Sequence, residues 1–384
     1  MRACERLCDT FRLPRTFIIY LCLSLFAASA AAGQAPTRAA AGLTSGAEIY
    51  RAGCAGCHGS NGEGAPLTST MFDRPATFPD FSDCSGTTPE LDVDWKATIT
   101  EGGHGRGFSP IMPSFSDELT SEQVDAVIKY LRTICHSDRY PRGELNLPRP
   151  LITEKAFPES EAIETMGFTT TGPSDINTEF SYEYRLSARN QIELAIPYAS
   201  LHDENGTRVG GIGDVAVGLK RVLFASHDTI VSGFGEIALP TGNSDKGLGS
   251  GVTTFSFHAM AGQILPNDMF LQAQVGTDQP SHPDLVARTL FWRLNVGKSF
   301  REENGLGRLW SPMFEVVSDR QFVTGASADI DVVPQFQVTL NRRQHVRANA
   351  GLEIPASNRQ GRSTQFVFYL LWDWFDGGLF EGWR

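Results

Sequence analysis

From Glu161 onward the chain alternates apolar and polar residues in segments of about ten, and a strand with that pattern presents one apolar and one polar face. "NTEFSYEYRL" sets Phe180, Tyr182, Tyr184 and Leu186 against Glu179, Glu183 and Arg185. "QIELAIPY", "VRANAGLEI" and "TQFVFYLLWDW" divide in the same way. The pattern predicts twelve strands, over about 161–170, 176–186, 190–198, 211–224, 229–239, 251–265, 269–276, 286–300, 309–317, 328–340, 345–354 and 363–375. Most approach the 9–11 residues with which a tilted strand crosses a bilayer, and none is apolar throughout, which excludes helical spans. Tight links such as "SARN", "ASHD", "PND" and "NRRQ" alternate with long ones such as "PTGNSDKGLGSG" and "TDQPSHPDL". Short turns at one end, long loops at the other and an even strand count fit an antiparallel transmembrane β-barrel over 161–384 with both chain ends on the short-turn side. A soluble two-sheet sandwich with one wet face satisfies the alternation as well.

The expected inward face carries Glu179, Glu183, Arg185, Glu193, Glu236, Arg293, Glu315, Arg347 and Glu353, a mixture of signs that fits a solvated or salt-bridged lumen. His202, His227, His258, His282 and His345 have no ligand spacing, so structural or solvated roles are their default. Five of the six tryptophans fall in this half, several near strand ends where an interfacial girdle would lie.

The first 33 residues read as an export signal, with Arg2, Arg6, Arg12 and Arg15 ahead of the apolar run Phe17 to Ala28 and a small-residue cleavage region. Three of the seven cysteines, Cys4, Cys8 and Cys22, lie inside it, leaving Cys54, Cys57, Cys84 and Cys135. A low-complexity linker (34–44) leads to a small domain (45–141), and a Pro-rich, mixed-charge connector (142–160) leads on to the barrel. Within the small domain a helix is expected near Thr44 or Ser45. A second follows Thr120 and Gln123, which have capping-box spacing ahead of Val124, Val127, Ile128, Leu131 and Ile134. So small a core gains from a large apolar cofactor. The formal charge of −11 is spread along the chain without a basic stripe, which argues against nucleic acid as a partner.

"GCAGCHGSNGEG" contains Cys54, Cys57 and His58 in C-x-x-C-H spacing. That pentapeptide supplies two thiols for the vinyl groups of a c-type haem and an imidazole for its iron from one turn of chain. Composition alone produces it on the order of three times in a thousand, so chance is a poor explanation. The rival is zinc, with Cys84 or Cys135 completing a tetrahedral set, although adjacent Cys and His ligands are unusual for one metal. The second axial ligand is expected on the opposite haem face, from a downstream loop. Met112, ahead of Pro113 and Phe115 and just before the second helix, is the candidate, and a thioether there favours reduced iron. His104 is the competing ligand, and Met71 stands behind it.

"CAGCHGSNGEG", "IMPSF" and "SEQVDAVIKYLRTI" together resemble a class I, single-haem cytochrome c domain over Ala41 to Cys135. The resemblance implies a small all-α fold around one covalently attached haem c. In it Cys54 and Cys57 are the thioether attachments, His58 the proximal ligand and Met112 the distal ligand, and electrons move without catalysis at the iron. Cys84 and Cys135 depart from that pattern, and outside the cytosol two leftover thiols in one small domain are expected to form a disulfide. "GIGDVAVGLKRVLF", "GEIALPTGN" and "KGLGSG" are similar to the outer-membrane barrel family named for the meta pathway of phenol degradation, most strongly over Gly210 to Gly251. That resemblance implies an outer-membrane barrel associated with uptake. The chain ends Phe380-Glu-Gly-Trp-Arg384 rather than on a terminal aromatic residue, as many such barrels do.

The expectation is therefore two-domain: an all-α cytochrome c domain in the periplasm, followed by a twelve-stranded barrel in the outer membrane. Its expected function is electron transfer, not enzyme catalysis, with a redox protein or a small electron donor or acceptor as partner. The alternative is an outer-membrane transporter for small or apolar solutes, gated or plugged by the cytochrome domain. A peroxidase-like haem enzyme would need an open iron position, which Met112 fills.

Overall fold

A computed structural model describes residues 42–374 apart from 69, 76, 136, 138, 171–174, 203–205 and 302–308. The expected export signal, most of the linker, Cys4, Cys8, Cys22 and the C-terminal Phe380-Glu-Gly-Trp-Arg384 lie outside the described residues.

The N-terminal region is helical, with α1 (Gly46–Gly53), α2 (Ala55–His58), α3 (Cys84–Thr87), α4 (Asp92–Glu101) and α5 (Ser121–Ile134). At α5 the expected capping box forms: Thr120 Oγ1 accepts from the Gln123 amide at 3.2 Å, and Gln123 Oε1 accepts from the Thr120 amide at 2.9 Å. Val124, Val127, Ile128 and Leu131 are buried, and Ile49 and Tyr50 of α1 are buried as well. α1 crosses α5 at Gly46, where a Cβ would stand 1.9 Å from the Ala126 carbonyl oxygen, so only glycine permits this approach. α4 is a helix that sequence reading misses. Leu91 precedes it without a capping side chain, and its apolar face is little more than Trp95 and Ile99. Arg132 of α5 fastens α4 by lying 3.9 Å over the Trp95 ring and donating to Asp92 at 2.7 Å. Cys84 and Cys135 form a disulfide, with Cα atoms 5.5 Å apart, that joins the start of α3 to the end of α5.

The second region is one antiparallel sheet: β1 (Glu161–Thr169), β2 (Ile176–Ser187), β3 (Asn190–His202), β4 (Arg208–Ile212), β5 (Ala216–Ala225), β6 (Thr229–Ala238), β7 (Thr254–Ile264), β8 (Met269–Pro280), β9 (Thr289–Lys298), β10 (Phe300–Arg301), β11 (Leu309–Gln321), β12 (Asp329–Thr339), β13 (Val346–Pro355) and β14 (Gln365–Asp373). Sequence neighbours pair around the sheet, β14 pairs with β1, and β9 pairs with β11, which closes the barrel. β4 continues the β5 path beside the outer end of β3, and β10 is a short addition to β11, so twelve strands make up the wall. These are the twelve segments expected from the alternation. The tight "PND" turn keeps Asn267 and Asp268 at φ 62° and 58°, the left-handed pair that a two-strand hairpin favours.

Exposure decides between a membrane barrel and a sandwich. Phe180, Tyr182, Tyr184 and Leu186 are 37–55% exposed, while Ser181 and Glu183 between them are at most 5% exposed. The apolar face therefore looks outward around a closed barrel, and a soluble sandwich, which buries that face, is excluded. Among the described residues no helix is long and apolar enough to cross a membrane.

The Pro-rich connector is extended apart from a 3-10 turn at Gly143–Leu145, and it runs inside the barrel. Leu145, Ala156 and Phe157 pack against Val222, Ile230, Phe234 and Met260 of the wall, and Leu147 packs against Phe270 and Met313. Its backbone is held by inward side chains: the Leu151 amide by Gln335 at 2.9 Å, Thr153 by Glu315 at 2.9 Å and Glu159 by Gln191 at 2.7 Å. Arg149 lies 2.9 Å from Glu161 and 2.6 Å from Glu183, and Lys155 lies 2.8 Å from Glu159 and 3.1 Å from Glu161. Of the charged residues expected on the inner face, Glu183, Arg293 and Glu315 are thus paired with the connector. His258 and His345 take structural roles beside Glu154 and Asp373, and His202 pairs with Asp175 at 3.0 Å.

Candidate functional site

α1 ends where the two thiols begin. Cys54 is its C-cap, and the Cys57 and His58 amides donate to the Cys54 carbonyl at 3.1 and 2.9 Å. One helical turn therefore carries Cys54, Cys57 and His58, with the cysteines three residues apart and so on neighbouring positions of one face. The chain leaves the turn through Gly59 at φ 76° and ψ 159°, a conformation open essentially to glycine alone. Tyr50 fixes the exit by donating its hydroxyl to the Gly59 carbonyl at 2.7 Å. Two further bonds, Gly64 amide to His58 carbonyl at 2.8 Å and Ala65 amide to Cys57 carbonyl at 2.9 Å, fold the following loop back over the turn.

The His58 ring contacts Phe78 and Phe81, at 5.0 and 5.2 Å between ring centres, and its Nδ1 is buried without a hydrogen-bond partner. Burial lowers its pKa to about 4, so the imidazole is neutral at physiological pH and keeps a lone pair to offer a metal. Cys54 and Cys57 are free thiols, and burial together with the neighbouring Cys57 raises the Cys54 pKa to about 11. The cystine of Cys84 and Cys135 withdraws both sulfurs from the zinc set, and the described residues contain no group of three or more His, Cys, Asp or Glu side chains placed to hold a metal ion. Free thiols beside a neutral imidazole are the donor set that covalent haem attachment uses.

Met112 is half-buried in the loop after α4. Its carbonyl accepts from the Gly103 amide at 3.0 Å, at the start of the 3-10 turn after α4, and the Phe115 amide donates to the Ile99 carbonyl of α4 at 3.0 Å, so the loop is held at two points. Gly102, at φ 76°, lets the strands of this clip meet, since a Cβ there would be 2.8 Å from the Ser114 nitrogen. The loop reaches the haem-motif helix through Phe115, whose ring would stand 3.7 Å from a Cβ on Gly53. His104 lies exposed on the 3-10 turn Gly103–Arg106, and Met71 is fully exposed. Sequence reading did not identify Phe78, Phe81 or Tyr50 as site residues. They reach the turn through tertiary folding, and nothing in their own spacing marks them.

Three further contacts join the helical region to the short-turn end of the barrel. Arg185 donates to the Ser85 carbonyl at 2.9 Å, Arg189 to the Arg139 carbonyl at 3.1 Å, and Arg343 to the Gly107 carbonyl at 3.4 Å.

The family model described as Cytochrome c matches residues 43–134. No curated protein matches the chain. Among solved structures, the KdgM porin is similar over 56% of this chain and 99% of its own, with 6% identity and a TM-score of 0.40. An outer-membrane channel from Pseudomonas putida F1 is similar over 56% of this chain and 94% of its own, with 11% identity and a TM-score of 0.40. LpxR from Salmonella typhimurium is similar over 56% of this chain and 100% of its own, with 9% identity and a TM-score of 0.38. Residues 43–134 are thus a cytochrome c domain, the class of domain that carries covalently attached haem, joined in one chain to a closed twelve-stranded antiparallel barrel.

Proposed function

We propose that this chain transfers electrons through a c-type haem held at the periplasmic face of the outer membrane. The observation that carries the reading is the single turn in which two free thiols and a neutral, half-buried imidazole follow α1. When bound, the haem supplies a one-electron iron couple. Cys54 and Cys57 would tether it, and His58 and Met112, the latter on a loop tied to Gly103 and to Ile99 of α4, would hold its iron. With His58 and Met112 both bound to the iron, the chain would act as an electron carrier and not as an enzyme. A redox protein or a small donor or acceptor exchanges electrons with it.

Orientation follows from the barrel. Its outward apolar face suits a lipid environment, and in outer-membrane barrels the short turns face the periplasm. Arg185, Arg189 and Arg343 meet the cytochrome domain from that end. The alternative, solute uptake, draws on the polar lumen. The connector that occupies the lumen weighs against an open pore, and it, not the cytochrome domain, is the plug.

The test is an absorption spectrum of the membrane-fractionated protein, native and Met112→Ala, after expression in a haem-attaching host. The expected result is a thioether-linked haem in the outer-membrane fraction of both, with the sulfur-to-iron absorption lost and the potential lowered in the variant. A colourless native protein, or a variant with an unchanged spectrum, would remove the reading.

A further inference from the structure

Two arginines beside the Met112 loop are buried with too few partners. Arg106 ends the 3-10 turn after α4 and is 2% exposed, and Arg343, in the turn between β12 and β13, is 7% exposed. Arg106 Nη2 lies 3.0 Å from Asp94 Oδ1. Arg343 Nη2 donates to the Gly107 carbonyl at 3.4 Å, and its guanidinium lies 4.5 Å from the centre of the Phe108 ring. Arg343 thus touches the two residues that follow Arg106. In both arginines Nε and Nη1 are buried and have no hydrogen-bond partner.

A guanidinium does not shed its proton in a protein, and taking it out of water without an acceptor is costly. Asp94 offsets one of the two charges. The remaining cation and four unfilled nitrogens call for an anion, and the planar fork of arginine matches a carboxylate best. The cytochrome domain brings such a group, since haem carries two propionate carboxylates.

We propose that Arg343, from the barrel, and Arg106, from the cytochrome domain, together seat the haem propionates, so that the barrel completes the haem site. The proposal rests on the reading that residues 43–134 hold a c-type haem. It assigns the turn between β12 and β13 a direct part in setting the redox potential.

The experiment uses the purified full chain with haem attached, comparing native protein with Arg343→Gln, Arg343→Lys and, as a control at another domain contact, Arg189→Gln. Removing a cation beside the carboxylates favours ferric iron. Arg343→Gln is therefore expected to shift the reduction equilibrium about tenfold toward the oxidised form, which is about 59 mV for a one-electron couple. Arg343→Lys should keep most of the native potential, and Arg189→Gln all of it. An unchanged potential in Arg343→Gln overturns the proposal. So does a native potential that moves with added chloride or phosphate and ceases to do so in Arg343→Gln, because a solution anion then fills the site. Resonance Raman spectra of the native protein keep the idea testable should the variants not fold. The propionate bending band should shift in deuterated water, and a band that does not shift sinks the proposal. Loss of covalent haem or of the sulfur-to-iron absorption in native protein marks failure of the underlying reading instead.

Discussion

At the scale of single residues, the site divides into what is chemically local and what folding supplies. Cys54, Cys57 and His58 are legible in sequence because two thiols and an imidazole must come from one turn, so their spacing is fixed by covalent reach. Met112, the proposed distal ligand, rests on a weaker pattern, a sulfur held by a following proline ahead of a capped helix. Phe78, Phe81 and Tyr50 were not legible, since each meets the turn across a distance in sequence that no periodicity encodes. Gly59 shows how one position controls the turn. Its φ of 76° and ψ of 159° suit glycine alone, and a Cβ there would lie 2.8 Å from the Gly64 carbonyl oxygen. Gly59→Ala should cost roughly 1–3 kcal/mol of domain stability. The check is the thermal melt of the haem absorption, and an unchanged melting temperature would show that the turn relaxes freely.

At the scale of elements, the strands were readable because a period of two survives whichever side faces water. The same alternation left sandwich and barrel undecided until exposure of Phe180, Tyr182, Tyr184 and Leu186 fixed which face looks outward. The connector failed to announce itself for the converse reason. Its prolines and charges read as a solvated linker, whereas the apolar packing of Leu145 and Phe157 and the acidic and amide side chains of the wall show that it is buried. Arg149 is central to its placement, between Glu161 and Glu183, with its carbonyl accepting from Tyr369 at 2.6 Å. Removing one member of such a buried network strands the others, at about 3–5 kcal/mol. Arg149→Ala should therefore loosen the connector and raise ion conductance in planar bilayers above a low native level. Equal conductance would mean that the connector does not limit passage.

At the scale of the whole molecule, two surfaces of opposite character define the barrel, and substitution distinguishes them. Leu219, near the middle of β5, is 53% exposed on the outer face, whereas Lys220 beside it is fully buried in the lumen and 3.5 Å from Glu183. If the outer face meets lipid, Leu219→Arg costs about 2–4 kcal/mol, a penalty absent from a water-facing surface. Urea titration of the protein in phospholipid vesicles measures it, and a cost near zero argues against a membrane location.

Orientation is the remaining property of the whole chain, and the proposed one can be tested from where the domains touch. The cytochrome domain meets the end of the barrel that carries the tight turns at Ser187–Asn190 and Ala225–Thr229. In an outer-membrane setting that end faces the periplasm, so a membrane-impermeant reductant added to intact cells should leave the haem oxidised. Permeabilising the outer membrane should then allow rapid reduction, because the domain lies outside the lumen and the connector, not the haem, fills the interior. Immediate reduction in intact cells would place the domain on the outer surface and reverse the assigned direction of electron exchange, while leaving the haem ligands and the barrel's lipid face as argued.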